Sequence, residues 1–257
     1  MNTMIARVKI TMVAALLATL GCSDRSKPQV RVFAASSLTM PFEELAAAFE
    51  VENPDVEVEL HCSGTPRLVL QLREGAAADV FASADEVLMQ QVIDAGQASA
   101  AAVTFAGNQL TIVTADGNPH AILSLADLQK PGIGVLMCGP EVPAGRYARE
   151  ALKKAGVQIQ SRSDEPSVRA VVSKVRLGVA DAGIVYATDA RTVAEQTGAF
   201  GTKIHSVTIP EHQNIRTQYV IAPLSTGEHG ALGKAFVAFV AGPIGQAILA
   251  SHGFAKP

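Results

Sequence analysis

Short apolar runs alternate with longer amphipathic stretches along most of the chain. "QVRVFAA" and "VEVELHCS" have strand character, the second by its period-two alternation. Between them "MPFEELAAAFEVENP" has helical periodicity and closes at Pro54, and "RLVLQLREG" is a helix ending at Gly75. "DVFAS" and "DEVLMQQVIDAG" supply a third strand and a third helix. A second series begins at "QLTIVTADG" and continues through "GIGVLMC", "YAREALKKAG", "SVRAVVSKVRLG" and "ADAGIVYATDA". "TQYVIAP" is a last strand, and "GALGKAFVAFVAGPIGQAILASHG" a helical pair broken at Gly242-Pro243. Strict alternation of strand and helix predicts an α/β fold with mostly parallel sheets flanked by helices. Two such series in 257 residues predict two lobes with a cleft between them. By pattern, one lobe holds 29–109 and 212–257, and the other 110–211.

The first 21 residues break this pattern. Arg7 and Lys9 precede the apolar run "ITMVAALLATL", too short for a stable membrane span and typical of an export signal. It ends in "LGC", and Cys22 opens the polar, proline-containing tether 22–28. The setting resembles a bacterial lipoprotein cleavage box, with Thr19 where that box usually has leucine. Cys22 is therefore the candidate for lipidation, with ordinary cleavage nearby as the alternative. The expected location is periplasmic or at the cell surface, attached to the membrane through the lipid alone.

Cleavage removes two cations and no acid, so the formal net charge moves from −3 to −5. Such a chain lacks the basic surplus that nucleic acid or an anionic membrane surface rewards. Cys62 and Cys138 remain, as a pair or as two buried thiols; spacing alone does not choose.

Candidate chemistry gathers at the strand-to-helix junctions, where open α/β sheets bind ligands. "ASSLT" places two serines before the first helix. In "CSGTPRL", Thr65 has the character of an N-cap with Pro66 at the first helical position. "PEVPAGRYA" sets a tight Pro-Ala-Gly turn ahead of a helix, and "DEPSVRA" offers Ser167 as a cap before Val168. Each junction alone is an ordinary capped helix. Together they present free backbone N–H groups and hydroxyls, an arrangement that suits an anion.

"VFAASSLTMPFEELAAAFE", "GAAADVFASAD", "PEVPAGRYAREAL" and "GIVYATDA" resemble, in order and spacing, the molybdate-binding proteins of bacterial ABC importers. The resemblance runs from about residue 30 to the C-terminus. It implies a two-lobed, hinged periplasmic-binding-protein fold (type II) that grips molybdate or tungstate between its lobes. It also implies a monomer that delivers the anion to an ABC importer permease, without a cofactor. Carried over by position, the ligand-contacting hydroxyls fall on Ser37 and Tyr186, and the family's second serine falls on Thr65. The backbone-amide donors fall on Ala144 and Val168. Ser36 shapes the turn or helps the cap. Arg67 and Arg146, each two positions past a proposed contact, are rim candidates or plain solvent-facing residues. All five contacts are neutral donors, suited to a fully deprotonated dianion.

Catalysis finds little support. There is no G-x-S-x-G elbow and no H-E-x-x-H helix. "GEHGALGKA" is no P-loop, since Ala235 stands where the hydroxyl residue belongs. The six histidines show no metal-ligand spacing. With three tyrosines and no tryptophan, an iron-binding tyrosine cluster or stacked sugar recognition is disfavoured, and Tyr147 and Tyr219 are read as packing residues. The rivals are a site for sulfate, thiosulfate or phosphate, and an anchored enzyme using Ser36 or Ser37 as nucleophile.

Overall fold

The computed structural model describes residues 27–195 and 203–257. The export signal, Cys22 and the tether up to residue 26 lie outside the described residues. The first half runs β1 (Gln29–Ala35), a 3-10 turn (Ser36–Leu38), α1 (Thr39–Glu52), β2 (Glu57–Ser63), α2 (Thr65–Arg73), β3 (Val80–Ser83) and α3 (Glu86–Asp94). Then come β4 (Val103–Ala115), a second 3-10 turn (Leu125–Gln129), β5 (Val135–Cys138), α4 (Pro143–Lys154), β6 (Asp164–Glu165) and α5 (Val168–Arg176). The chain continues through β7 (Ala182–Tyr186), α6 (Ala187–Glu195) and β8 (Ile204–Thr208). It closes with β9 (Arg216–Pro223), α7 (Gly230–Ala241) and α8 (Pro243–Ser251).

The strands lie in the order β2-β1-β3-β9-β4-β7-β5-β6, with β8 also paired to β4. β1 pairs in parallel with β2 and β3, and β5 with β6 and β7. Interior strands such as β3 and β7 are buried at every position, as two-faced coverage by helices requires. β2, at the edge, alternates exposed and half-buried residues.

β4 joins the two halves. From Val103 to Gln109 it pairs with β9; from Leu110 onward it pairs with β7 and β8. At about 3.4 Å per residue, a strand of 13 residues is long enough to serve both sheets. Where β9 leaves it, the buried Asn214 side chain replaces a strand partner. Its Oδ1 accepts from the Leu110 N–H at 3.0 Å and its Nδ2 donates to the Leu110 carbonyl at 2.8 Å. All pairings of β4, and that of β3 with β9, are antiparallel. Alternation of strand and helix predicts only the parallel pairs, because the crossing strands owe their direction to the return path between lobes.

An aromatic cluster ties α1 to the C-terminal helices. Phe49 meets Phe236 edge-on at 5.2 Å and Phe239 at 5.4 Å, and Phe42 stands 5.9 Å from Phe105 on β4. The bend between α7 and α8 is 59°, at the Gly242-Pro243 break. Phe254 then packs on Tyr219, and Ala255 exchanges backbone hydrogen bonds with Gly107 on β4. Cys62 and Cys138 are both free thiols, and burial pushes the pKa of each upward.

Candidate anion-binding site

Six strand-to-helix junctions from both lobes converge on one small cavity of about 10 Å³. Ser36 and Ser37 come from the 3-10 turn after β1, and Gly64 and Thr65 from the start of α2. Ala84 follows β3, Ala144 lies in the first turn of α4, Val168 opens α5, and Tyr186 ends β7. No charged side chain lines this cavity. Ser37, Thr65, Ala144, Val168 and Tyr186 are all buried.

Local geometry differs from the sequence reading at two junctions. Thr65 is the first residue of α2, and Gly64 is its cap. Position 64 is confined to glycine by sterics: a Cβ there would lie 2.2 Å from the Pro166 carbonyl oxygen. Likewise Pro143, Ala144 and Gly145 form the first turn of α4, with Val142 as the cap. With proline in each first turn and the Arg67 and Gly145 N–H groups bonded to the cap carbonyls, the first-turn N–H groups left are those of Thr65 and Ala144. Ser167 caps α5 as its sequence predicts, accepting from the Ala170 N–H at 3.3 Å.

The hydroxyls are held in distinct ways. Ser37 Oγ lies 2.9 Å from Tyr219 Oη in a fully buried contact. Tyr219 therefore packs, as its sequence setting suggests, and also bonds a cavity residue. Tyr186 Oη is buried with no hydrogen-bond partner. A buried unsatisfied hydroxyl costs about 1–3 kcal/mol, so a missing acceptor belongs there. Burial raises the pKa of both tyrosines, which keeps their protons available for donation.

Charge is confined to the surroundings. A second cavity of about 170 Å³ shares Ser36 and Ser37 with the first and adds Arg169, Arg176 and Asp189. Arg169 Nη1 donates to Thr39 Oγ1 across the cleft at 3.0 Å. Asp189 is buried, its Oδ2 lacks a partner, and burial pushes its pKa up to about 7 against the opposing pull of Arg169. Of the arginines singled out in the sequence, Arg67 is exposed and lines neither cavity. Arg146 pairs with the buried Asp85 and also lies over the Tyr147 ring at 5.2 Å. Arg169, Arg176, Asp189 and Asn108 escaped sequence reasoning, and Tyr219 was read for its packing alone. Only Arg169 had a local signal, its place directly after Val168.

A family model described as bacterial extracellular solute-binding protein matches residues 30–255. The molybdate-binding protein ModA of Mycobacterium tuberculosis is 40% identical over 97% of this chain and 96% of its own length. ModA of Escherichia coli is 32% identical over 88% of each chain. Among solved structures, the periplasmic molybdate-binding protein of Azotobacter vinelandii superposes with a TM-score of 0.75 at 20% identity, over 89% of this chain and 99% of that one. The sulfate-binding protein SubI of M. tuberculosis gives 0.78 at 20% identity, over 89% and 87%. At that level of identity both likenesses concern the fold.

Proposed function

The chain belongs to the bacterial extracellular solute-binding proteins, and from that premise we propose that it captures molybdate or tungstate and delivers it to an ABC importer. In this reading the protein is a binder and not an enzyme, acts as a monomer, and is held at the membrane by a lipid on Cys22. Residues 29–109 with 212–257 form one lobe and 110–211 the other, and they close on the anion. Ser37, Thr65 and Tyr186 donate hydroxyls, Ala144 and Val168 donate backbone N–H groups, and Ser36 shapes the first turn. Arg169 and Arg176 supply attraction in the outer cavity.

One observation carries the proposal. The inner cavity holds neutral donors without a charged side chain, and one of them, Tyr186 Oη, is buried and unpartnered. A fully deprotonated tetrahedral dianion offers acceptors in every direction and needs no acceptor in return. Hydrogen bonds to such a charged group are about twice as strong as neutral ones.

Calorimetric titration with molybdate, tungstate, sulfate and phosphate tests the reading. Molybdate and tungstate are expected to bind at least about 100-fold more tightly than sulfate, a difference of about 2.7 kcal/mol. Equal affinity for sulfate moves the protein to another oxyanion. Absence of heat with either metal oxyanion removes the assignment.

A further inference from the structure

Ser37 Oγ is both a donor and an acceptor, and an anion is served only by its proton. Something must therefore keep that proton turned toward the cavity. The hydrogen-bond chain behind Ser37 starts at Asn108 on β4, whose amide orientation is fixed.

The Gln109 N–H donates to Asn108 Oδ1 at 2.9 Å. That contact fixes which end of the amide is oxygen, so Nδ2 points the other way. From there Nδ2 donates to Thr188 Oγ1 at 2.9 Å and to Tyr219 Oη at 3.4 Å. Tyr219 Oη accepts from Asn108 and neighbours both the Tyr186 hydroxyl and Ser37 Oγ; its 2.9 Å contact with Ser37 suits either direction, and in the relay inferred below Tyr219 supplies the proton. Ser37 Oγ then accepts from behind and has its own proton left for the cavity it lines.

We infer that Tyr219, oriented by Asn108, is a positioning residue that holds Ser37 as a donor and so makes the cavity selective for fully deprotonated oxyanions. The inference rests on the functional reading above and adds two residues outside the cavity lining. Without Tyr219 Oη the serine hydroxyl rotates and presents lone pairs to the anion for part of the time. Tyr219 sits on β9 and Asn108 on β4, the two strands that run between the lobes. Thr188, the other acceptor of Nδ2, lies on α6 of the second lobe. The relay thus joins both crossing strands and the second lobe to a serine of the first.

Three variants test this against the parent protein, with molybdate as probe. Tyr219→Phe deletes one oxygen and leaves the ring packed on Phe105, Tyr186 and Phe254. Its molybdate Kd is expected to rise about five- to tenfold, the loss of one hydrogen bond's worth of orientation. Ser37→Ala should lose at least as much. The double variant should bind within about twofold of Ser37→Ala alone, because both changes act through one hydroxyl. A purely structural role for Tyr219 predicts instead that the two losses multiply.

Asn108→Asp supplies an independent measurement. The new carboxylate accepts the Tyr219 proton and reverses the relay, so Ser37 donates backward. Its affinity loss should be larger with Tyr219 present than in the Tyr219→Phe background, where only the added charge acts. Melting temperatures without ligand confirm folding. A Tyr219→Phe protein that binds like the parent, or an Asn108→Asp loss equal in both backgrounds, overturns the relay. Failure of the parent itself to bind molybdate overturns the functional reading and the relay with it.

Discussion

Arg146, on α4 of the second lobe, forms an ion pair with Asp85, the N-cap of α3 in the first. Asp85 is fully buried, while the Arg146 side chain is 35% exposed. The carboxylate is used on both sides: Oδ1 accepts from the Leu88 N–H at 2.9 Å and Oδ2 from Arg146. Ala84, its neighbour, lines the inner cavity. The pair therefore lies beside the site, between α4 and α3. Arg146→Gln and Asp85→Asn should each weaken molybdate binding by about 1.5–3 kcal/mol, the scale of a hydrogen bond to a charged group. The double variant should be less than additive. Additive losses in calorimetry would mean that the two side chains do not meet in the bound state.

Gly64 is the second point of close approach. Its backbone conformation, φ −58° and ψ 132°, is open to alanine, so the obstacle to a side chain is the Pro166 carbonyl alone. Gly64→Ala should leave each lobe folded and hinder their closure. A saturating ligand at 1,000 times its Kd stabilises a protein by about 4 kcal/mol. In Gly64→Ala, molybdate should raise the melting temperature far less than in the parent, with little change in the unliganded melt. An undiminished ligand-induced shift would show that the lobes close without the Gly64–Pro166 contact.

The donor types can be separated by substitution. Ser37→Ala and Tyr186→Phe each delete one hydroxyl of the proposed anion site and should cost about 1.5–3 kcal/mol of affinity. Tyr186→Phe should also stabilise the unliganded protein slightly, since it removes a buried oxygen that lacks a partner. Val168→Ala keeps its main-chain N–H and should bind nearly as the parent does. If all three variants match the parent in side-by-side titrations, the anion sits elsewhere.

Ser37, Thr65, Ala144 and Val168 lie at junctions with a local signal, whereas Tyr186 is reached only through the family resemblance. Serine at 37, threonine before Pro66 and the small residues around Ala144 all mark helix starts in the sequence. Most strands and helices were legible for a similar reason, since their apolar periodicity is local. What escaped depends on contacts between distant segments. Nothing near Tyr219 in the sequence points to Ser37, 182 positions away. Asp85 has the pattern of a helix cap, and its second role requires α4 to be docked across the cleft. β6 and β8 are two and five residues long and carry almost no periodicity, so these two peripheral strands stay hidden.

Asp189 gives the protein a pH dependence of defined sign. Its carboxyl is raised from an ordinary value of 3.8 to about 7, first by burial, with Arg169 and the Tyr186 N–H opposing. Between those values the folded protein holds a proton that the unfolded chain has released. The associated stability is full below about pH 4, declines as pH rises toward 7, and levels off once the folded carboxyl has ionised too. At about 1.4 kcal/mol per pH unit the total change is on the order of 4 kcal/mol. Asp189→Asn is neutral throughout and cannot lose this proton. Its stability relative to the parent should therefore climb from pH 4 to pH 7 and then stay level, as read by paired thermal melts across that range. A difference between the two proteins that does not vary with pH would mean that Asp189 ionises normally, and that water or a cation reaches Oδ2 in the folded protein.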